Sequence, residues 1–278
     1  MQHLIFSQLT ESYSWDRKYT GYPKKLITMK KLVLISGSGR GLGSSIARSF
    51  ISSGYRVAIN YMKSEEQAHN LSNELGENAL AFKADISDKS QVISMLNDIE
   101  DSFNDSPSIL VNNAMTDYVF NGDARKFADE ISWNEISDHL NVTLKGSLNL
   151  IQSLIPSMKK NSYGRIINVG TNLVQNPVVP YHDYTIAKAA LLGLTRTFAK
   201  DLGVMGITVN MVSGGLLKVT DASAATPDAV FDAIAEMTPL QKVTTTEDFS
   251  DAVLFFASDN SRAITGQNLT VDGGLTFN

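Results

Sequence analysis

The residues best suited to chemistry are a tyrosine and a lysine four positions apart, Tyr184 and Lys188. On a helix this spacing places both side chains on one face. A phenol with its reference pKa near 10 is a weak acid at neutral pH, whereas a nearby ammonium favours the phenolate. At about 4 Å and an effective dielectric constant near 20, the attraction is on the order of 4 kcal/mol, up to roughly three pKa units before desolvation is subtracted. The pair therefore predicts a general acid for a carbonyl oxygen; an ordinary helix surface is the alternative.

A second tyrosine is another candidate for the proton donor. Tyr181 lies seven residues before Lys188, so its hydroxyl must reach the lysine from the preceding helical turn. Tyr184 is preferred because a separation of four residues places the phenol and the ammonium on the same helical face.

A glycine-rich segment near the start of the chain is suited to binding phosphate groups. Residues 36–43 read Ser-Gly-Ser-Gly-Arg-Gly-Leu-Gly and lie between an apolar run and a helical pattern. Gly37 can adopt the positive φ of a sharp turn, and the N–H groups of a helix N-terminus attract anions. In this context the segment predicts a dinucleotide site, with a purely structural turn as the alternative. The expected contacts are Gly37, Ser38, Arg40, Gly41, Leu42 and Gly43.

Apolar runs of strand length alternate with segments of helical period from Lys31 onward. The strand candidates are 32–35, 57–59, 79–82, 109–111, 166–169 and 207–210, and the helix candidates are 44–53, 65–75, 91–103, 132–160 and 183–202. This alternation predicts a single-domain, Rossmann-type α/β fold, a doubly wound parallel sheet with helices on both faces. In such sheets ligands bind outside the carboxyl ends of the strands.

The residues after the second predicted strand indicate which dinucleotide is bound. Residues 60–64 read Asn-Tyr-Met-Lys-Ser, with no carboxylate before Glu65. A carboxylate there would accept hydrogen bonds from the ribose of NAD and repel the 2′-phosphate of NADP. We therefore expect NADP(H); solvated surface charges at Arg40 and Lys63 are the alternative reading. The expected contacts are Arg40, Asn60, Tyr61, Lys63 and Ser64.

Several motifs follow one another in a characteristic order: [T/S]-G-x-x-x-G-x-G at 36–43, Asn-Asn-Ala at 112–114, Tyr-x-x-x-Lys at 184–188 and Val-Asp-Gly-Gly at 271–274. With these motifs, residues 30–278 resemble the short-chain dehydrogenase/reductase family, and most closely its 3-oxoacyl-[acyl-carrier-protein] reductases. The resemblance implies further cofactor contacts, although Asp85 could instead cap a helix. These contacts are Asp85, Ile86, Asn113, Ala114, Tyr184, Lys188, Gly215 and Leu217.

The resemblance also implies a catalytic tetrad. Asn141 matches the asparagine that holds a water for proton relay to the lysine, and Thr171 stands where the family has serine, thirteen residues before Tyr184. Threonine keeps the hydroxyl that polarises a carbonyl, but its β-methyl group restricts χ1. The implied roles are general acid for Tyr184 and, for Lys188, orientation of the ribose and lowering of the pKa of the tyrosine.

Two positions depart from the family pattern. Met115 replaces the glycine after Asn-Asn-Ala, so its side chain is expected to narrow the pocket beside the ribose. Gly214 replaces the usual proline, so the wall near the carboxamide is expected to be looser.

Residues 218–239 are interpreted as a mobile substrate lid. Residues 1–28 are interpreted as an appendage, disordered or an over-extended start, with the domain at 29–278.

Composition excludes several classes of protein. The chain has 278 residues, 43% hydrophobic and 19% charged, with a formal net charge of −5, which argues against a nucleic-acid binder. It has no cysteine, hence no disulfide or zinc–thiolate site, and we expect no metal. No apolar run reaches the roughly 18 residues of a membrane span. A cytoplasmic protein is expected.

The sequence thus predicts NADPH-dependent reduction of a carbonyl to an alcohol, most closely of a 3-oxoacyl thioester in fatty acid biosynthesis. The alternatives are a reductase or dehydrogenase of small ketones, sugars or other alcohols, and a non-catalytic NADP-binding regulator. A carrier-bound substrate would need a basic docking patch. The candidate residues are Arg125, Lys126, Lys159 and Lys160, and scattered surface charges are the alternative interpretation of them. The long apolar helices at 132–160 and 183–202 are those that form tetramer contacts in the family, so we expect a homotetramer, with a dimer as the alternative.

Overall fold

A computed structural model describes residues 30–118, 120, 125–218, 220, 223–224 and 226–277. The proposed appendage at 1–28 therefore lies outside the described residues, as do positions 219, 221, 222 and 225 of the proposed lid. Within the described residues, no helix is both long enough and apolar enough to cross a membrane.

Seven parallel strands form one sheet in the order β3-β2-β1-β4-β5-β6-β7. The strands are β1 (Leu32–Ile35), β2 (Arg56–Tyr61), β3 (Ala79–Lys83), β4 (Ile109–Asn112), β5 (Gly164–Thr171), β6 (Ile207–Gly214) and β7 (Asn268–Val271). From β1 the chain adds β2 and β3 toward one edge of the sheet, and then β4 and the later strands toward the other edge. This switch point between β1 and β4 creates the crevice where doubly wound sheets bind their ligands. The predicted Rossmann-type fold is confirmed.

The helices connect the strands on both faces of the sheet. They are α1 (Gly41–Ser52), α2 (Glu65–Leu75), α3 (Lys89–Phe103), α4 (Trp133–Leu140), α5 (Ser147–Lys160), α6 (His182–Leu202), α7 (Asp228–Met237) and α8 (Thr246–Ala257). A π-helical segment, Asn141–Gly146, joins α4 to α5. The segment predicted as one helix over 132–160 is therefore interrupted by a wider turn.

Alternating strand residues build two separate cores, one on each face. Leu32 and Leu34 belong to the core shared with α3, α5 and α6, whereas Val33 and Ile35 belong to the core shared with α1, α2 and α8. All four are fully buried. Because both faces of a parallel sheet are covered, its strands read as continuous apolar runs, and the polar residues that follow them gather at the carboxyl edge.

Candidate active site

The glycine turn after β1 is packed so tightly that side chains are excluded from it. Gly37 has a φ of +61°, and a Cβ there would lie 2.8 Å from the Cα of Ala114. A Cβ on Gly43 would lie 2.6 Å from the carbonyl oxygen of Gly37. The amide of Asn113 donates to the carbonyl oxygens of Ser36 and Gly37 at 3.0 and 2.9 Å. The end of β4 thereby fixes the backbone of the turn.

The start of α1 is suited to hold the phosphates of a dinucleotide. Arg40 occupies the N-cap position without a side-chain cap, and Gly41 has a φ of +58°. Uncapped N–H groups at a helix N-terminus favour an anion. Leu42 packs against the core of this face. Ser38, also expected to contact the dinucleotide, has a buried hydroxyl that donates to the carbonyl of Ile35 at 2.7 Å.

The side chains of Asn60 and Tyr61, both expected at the cofactor, lie inside the protein. Asn60 is buried, its Oδ1 accepts from the N–H of Gly37 at 3.2 Å, and its Nδ2 donates to the carbonyl of Ala84 at 3.1 Å. Tyr61 is buried in the core, with its hydroxyl 3.3 Å from Nε2 of His69. The alternation of residues along the strand does not reveal which side chains are buried, because helices cover both faces of this sheet.

Three polar residues remain at the rim where a 2′-phosphate would lie. Lys63 is exposed and Ser64 half-buried, while Arg40 lines an open cavity of about 510 Å³ between α1 and α2. A guanidinium nitrogen of Arg40 lies 3.2 Å from the carboxylate of Asp117, both side chains being more than half exposed. Arg40 is therefore an exposed cation beside the glycine turn with a weak protein partner.

Asp85 and Ile86, expected to contact the cofactor, are engaged in local structure. Oδ1 of Asp85 accepts from the N–H and the hydroxyl of Ser87 at 2.9 and 2.7 Å. The cap of α3 is Asp88, so the alternative reading of Asp85 as a helix cap is wrong. Ile86 is buried, and a Cβ on Gly146 would lie 2.6 Å from its side chain. Asp85 and Ile86 therefore shape the side of the cofactor crevice after β3 chiefly through the turn that they form.

Thr171, Tyr184 and Lys188 come together where β5 ends and α6 begins. The Thr171 hydroxyl lies near the phenol of Tyr184, whose pKa it lowers, and it accepts from the N–H of Leu173 at 3.3 Å. Nζ of Lys188 donates to the carbonyl of Val169 at 2.7 Å and lies 5.7 Å from the centroid of the Tyr184 ring. The exposed fractions are 8% for Tyr184 and 2% for Lys188.

Burial, rather than the ion pair, dominates the acidity of this site. It raises the pKa of Tyr184 to about 12, an effect that the hydrogen bond from Thr171 offsets only in part. Burial also lowers the pKa of Lys188 to about 8. An unusually acidic phenol was expected here, but desolvation disfavours both charged forms, and the pKa of Tyr184 lies above its ordinary value. The phenol stays protonated through neutral pH.

Asn141, expected to hold a water for proton relay, is not directed toward the buried pair. Asn141 begins the π-helical segment with its side chain exposed to solvent. Thr143, two residues on, is 1% exposed, and its Oγ1 meets no hydrogen-bond partner in the part of the chain that the structure describes. Two residues in a helix turn the side chain to nearly the opposite face, so Asn141 faces water while Thr143 faces the interior.

A polar cluster beside Tyr184 was missed by the sequence analysis. Nε2 of His139 lies 3.4 Å from Oδ2 of Asp183, and Oδ1 of that carboxylate accepts from the hydroxyl of Tyr118 at 3.2 Å. The Thr116 hydroxyl lies 2.9 Å from Nε2 of His139. Burial lowers the pKa of His139, more than Asp183 raises it. The only sequence signal is Asp183, a carboxylate directly before the proposed general acid.

Aromatic rings cover the proposed general acid. The Tyr118 ring is stacked on Tyr184 with centroids 5.6 Å apart, and Phe120 meets Tyr184 edge-on at 5.2 Å. Tyr181, the alternative acid, packs its ring 5.8 Å from that of Tyr118, and Met115 packs against the same cluster. The side chain of Met115 therefore lies on the catalytic side of the pocket.

The opposite wall follows β6. Gly214 is paired with Thr171 across the sheet, and a Cβ there would lie 3.1 Å from the ring of Phe249. A Cβ on Gly215 would lie 3.2 Å from the amide nitrogen of Asn172. Leu217 packs partly against the core. The backbone at 214–215 thus lies beside the carboxyl end of β5.

Comparisons with known proteins match most of the chain. A family profile described as Enoyl-(Acyl carrier protein) reductase covers residues 37–276. The 3-oxoacyl-[acyl-carrier-protein] reductase FabG of Staphylococcus epidermidis is 34% identical over 251 residues, 89% of this chain and 99% of the relative.

Solved structures agree in fold. The 3-oxoacyl-[acyl-carrier protein] reductase of Brucella melitensis has a TM-score of 0.81 at 27% identity, covering 89% of this chain and 92% of its own. A gluconate 5-dehydrogenase from Burkholderia cenocepacia, in complex with NADP and tartrate, has a TM-score of 0.79 at 28% identity, covering 88% and 94%.

Proposed function

The chain belongs to the short-chain dehydrogenase/reductase family and is an oxidoreductase, and from this premise we propose that it reduces a 3-oxoacyl thioester to the 3-hydroxyacyl thioester with NADPH, Tyr184 being the general acid. The observation that carries the proposal is the placement of Thr171 and Tyr184 together with the buried ammonium of Lys188, which lies 5.7 Å from the Tyr184 ring centroid. The 34% identity to a 3-oxoacyl-[acyl-carrier-protein] reductase over most of both chains supports the substrate class.

The residues of the site suggest how the reaction proceeds. Bound NADPH supplies a hydride to the carbonyl carbon. The hydroxyls of Thr171 and Tyr184 are neighbours, and together they can hydrogen-bond a carbonyl oxygen and favour the negative charge that develops there. Tyr184 then donates its proton to that oxygen, and the ammonium of Lys188 stabilises the phenolate that remains.

The protonation state of Tyr184 favours the direction of reduction. With a pKa of about 12, its phenol is protonated at neutral pH and is a proton donor. Oxidation of an alcohol requires the opposite state, a phenolate that accepts a proton. We therefore infer that reduction is the working direction near pH 7.

The rim of the cofactor crevice supports NADPH over NADH. Arg40 and Lys63 are cations close to the end of β2, and the first carboxylate after that strand, Glu65, is paired with Lys83 at 2.9 Å. Cations there favour a 2′-phosphate, and the paired carboxylate repels it less. The Burkholderia relative is a structure with NADP bound.

A second candidate is a dehydrogenase of a small hydroxy acid. Arg125 holds its guanidinium 3.7 Å from the centroid of the Tyr118 ring, beside the pocket of Tyr184. A cation there could recognise a carboxylate, and one structural relative is a gluconate 5-dehydrogenase. Because this reaction needs the phenolate, it would be fastest at alkaline pH.

A substrate and cofactor panel tests the proposal. We expect oxidation of NADPH with acetoacetyl thioesters at pH 7, with a higher kcat/KM for NADPH than for NADH. Faster reduction of NADP⁺ with gluconate at high pH would favour the second candidate. Tight NADPH binding without turnover of any thioester, ketone or alcohol would instead indicate a non-catalytic regulator.

We also propose a cytoplasmic homotetramer, with contacts through the helical segments 133–160 and 182–202. Side chains suited to such contacts are present on α6, where Ile186 is 42% exposed. Light scattering at micromolar concentration should give four times the mass of the chain; a mass of two chains would indicate a dimer.

A further inference from the structure

A polar cluster lies beside the general acid and takes no part in the proposed reaction. It comprises Thr116 and Tyr118 from the segment that follows β4, His139 on α4 and Asp183 on α6. Thr116 is half-buried, and the other three are buried. Because a buried carboxylate must be removed from water, such a group rarely stabilises a fold better than an apolar residue of the same size. Its place directly before Tyr184 in the chain therefore indicates a role at the active site.

The cluster anchors the side chain of Tyr118. Its hydroxyl donates to Oδ1 of Asp183 at 3.2 Å, and Oδ2 of the same carboxylate lies 3.4 Å from Nε2 of His139. Burial, followed by the charge of Asp183, raises the pKa of Tyr118 above its ordinary value, so this hydroxyl stays protonated and remains the donor. Two residues earlier, the hydroxyl of Thr116 lies 2.9 Å from Nε2 of His139. Helices α4 and α6 thus hold this segment at two points.

The anchored ring lies against the general acid. The rings of Tyr118 and Tyr184 are stacked with centroids 5.6 Å apart, and Phe120 meets Tyr118 edge-on at 5.2 Å. Tyr118, Tyr181 and Tyr184 are each less than a tenth exposed. A carbonyl that is hydrogen-bonded to Tyr184 must carry its substituents past these rings. The position of the Tyr118 ring therefore limits the size of the substituent that the site accepts.

We propose that Asp183 is a specificity-determining positioning residue: by accepting the hydrogen bond of Tyr118, it holds that ring against Tyr184 and restricts the enzyme to carbonyls with short substituents. Asp183 exchanges neither hydride nor proton with the substrate and acts through Tyr118. The inference rests on the proposed function for its substrates, which are short 3-oxoacyl thioesters such as acetoacetyl. The hold of Asp183 on Tyr118 does not depend on which carbonyl is reduced.

Kinetics with two thioesters test the effect on specificity. Asp183→Ala removes the acceptor, and since a buried hydroxyl without a partner is unfavourable, the Tyr118 ring should leave its place against Tyr184. The ratio of kcat/KM for a 3-oxooctanoyl thioester to kcat/KM for an acetoacetyl thioester should then rise by about tenfold, chiefly through a lower KM for the longer substrate. The kcat for acetoacetyl should stay within about threefold of wild type. Asp183→Asn keeps an acceptor oxygen and should keep the wild-type ratio.

Chemical modification follows the Tyr118 ring without any turnover. Tetranitromethane nitrates tyrosine rings that solvent reaches, and the tryptic peptide 90–125 contains Tyr118 as its only tyrosine. This ring should stay unmodified in the wild type and in Asp183→Asn, and it should be nitrated in Asp183→Ala. Half-buried Tyr163, in the tryptic peptide 161–165, is the internal reference, and its nitration should be equal in all three proteins.

The matched control is Asp138→Ala, which removes an exposed carboxylate from α4 beside His139 in the chain. Both the ratio and the nitration of Tyr118 should stay as in the wild type. Adding Asp183→Ala to Tyr118→Ala tests whether Asp183 acts through the ring, because the ratio should then equal that of Tyr118→Ala alone. NADPH binding by fluorescence verifies folding, and Asp183→Ser is the second variant should the alanine protein misfold.

Four results would overturn the inference. A wild-type ratio in Asp183→Ala, or a Tyr118 ring that stays unmodified there, means that the carboxylate does not hold the ring. An equal loss for both thioesters means that Asp183 positions the general acid instead. A further change of the ratio in the double variant means that Asp183 acts by another route. Absence of thioester turnover by the wild type would reject the proposed function, whereas the nitration pattern would still decide whether Asp183 holds Tyr118.

Discussion

Replacing Lys188 by methionine is expected to stabilise the protein at neutral pH while abolishing turnover. Burial lowers the pKa of this lysine from 10.5 to about 8, so the folded state resists the protonation that the unfolded chain accepts readily. Between pH 10.5 and 8 the unfolded chain binds more protons, and stability therefore rises with pH across this range. Below pH 8 the full cost of the buried ammonium is present.

The magnitude follows from the two pKa values. The buried ammonium costs about 3 kcal/mol of folding free energy at pH 7 and about 1 kcal/mol at pH 10. Methionine removes this cost but also removes the hydrogen bond to Val169, worth about 1 kcal/mol at either pH. The net gain in the free energy of unfolding is about 2 kcal/mol at pH 7 and close to zero at pH 10.

Urea denaturation of the wild type and Lys188→Met at both pH values measures this difference. The control is Lys200→Met on the same helix, an exposed lysine whose replacement should change stability by less than about 0.5 kcal/mol at either pH. A Lys188→Met protein that is less stable than wild type at pH 7, by the same margin as at pH 10, would refute the reasoning that burial penalises the ammonium.

Three further predictions concern the site. Asp117→Asn removes an exposed ion pair of Arg40 worth about 0.2–1 kcal/mol. KM for NADPH should therefore fall by about 1.4- to 5-fold, while KM for NADH stays unchanged. Equal changes for both cofactors would contradict the role of Arg40. Tyr118→Ala removes the ring stacked on Tyr184. The ratio of kcat/KM for a 3-oxooctanoyl thioester to kcat/KM for an acetoacetyl thioester should then rise by about tenfold. The control is Phe127→Ala, at an exposed residue of the same segment, which should leave this ratio unchanged. Thr171→Val should lower kcat by about 10²–10³-fold and Thr171→Ser should not; wild-type kcat in the valine variant would remove Thr171 from the site.

Much of the fold follows from hydrophobic pattern alone. The strand predicted at 32–35 and the helix predicted at 65–75 match β1 and α2, because a covered parallel strand and an amphipathic helix leave distinct periodicities. The glycine turn was also predictable, since the positive φ of Gly37 and the close approach of Ala114 admit no side chain.

The catalytic details were less accessible, because they depend on which way a side chain faces. A π-helical segment shifts the helical register, so Asn141 is exposed and Thr143 buried, and no local pattern announces it. Asn60 was expected at the rim of the cofactor crevice, but its side chain lies inside the sheet and accepts a hydrogen bond from the glycine turn. The pairing of His139 with Asp183 joins residues far apart in sequence, and only the packed helices bring them together.

The low acidity of Tyr184 illustrates the same limit for electrostatics. The spacing of Tyr184 and Lys188 correctly predicts that they are neighbours, 5.7 Å apart from ammonium to ring centroid. It does not predict that both are almost completely removed from water, where desolvation outweighs the attraction between them.

The most direct test of the account is the turnover of Tyr184→Phe, measured as NADPH oxidation with the best carbonyl substrate of the panel. The account predicts a loss of about 10²–10⁴-fold in kcat with the affinity for NADPH unchanged, and nearly full activity in Tyr181→Phe. Wild-type turnover in Tyr184→Phe, or the loss appearing in Tyr181→Phe instead, would contradict the assignment of Tyr184 as the proton donor.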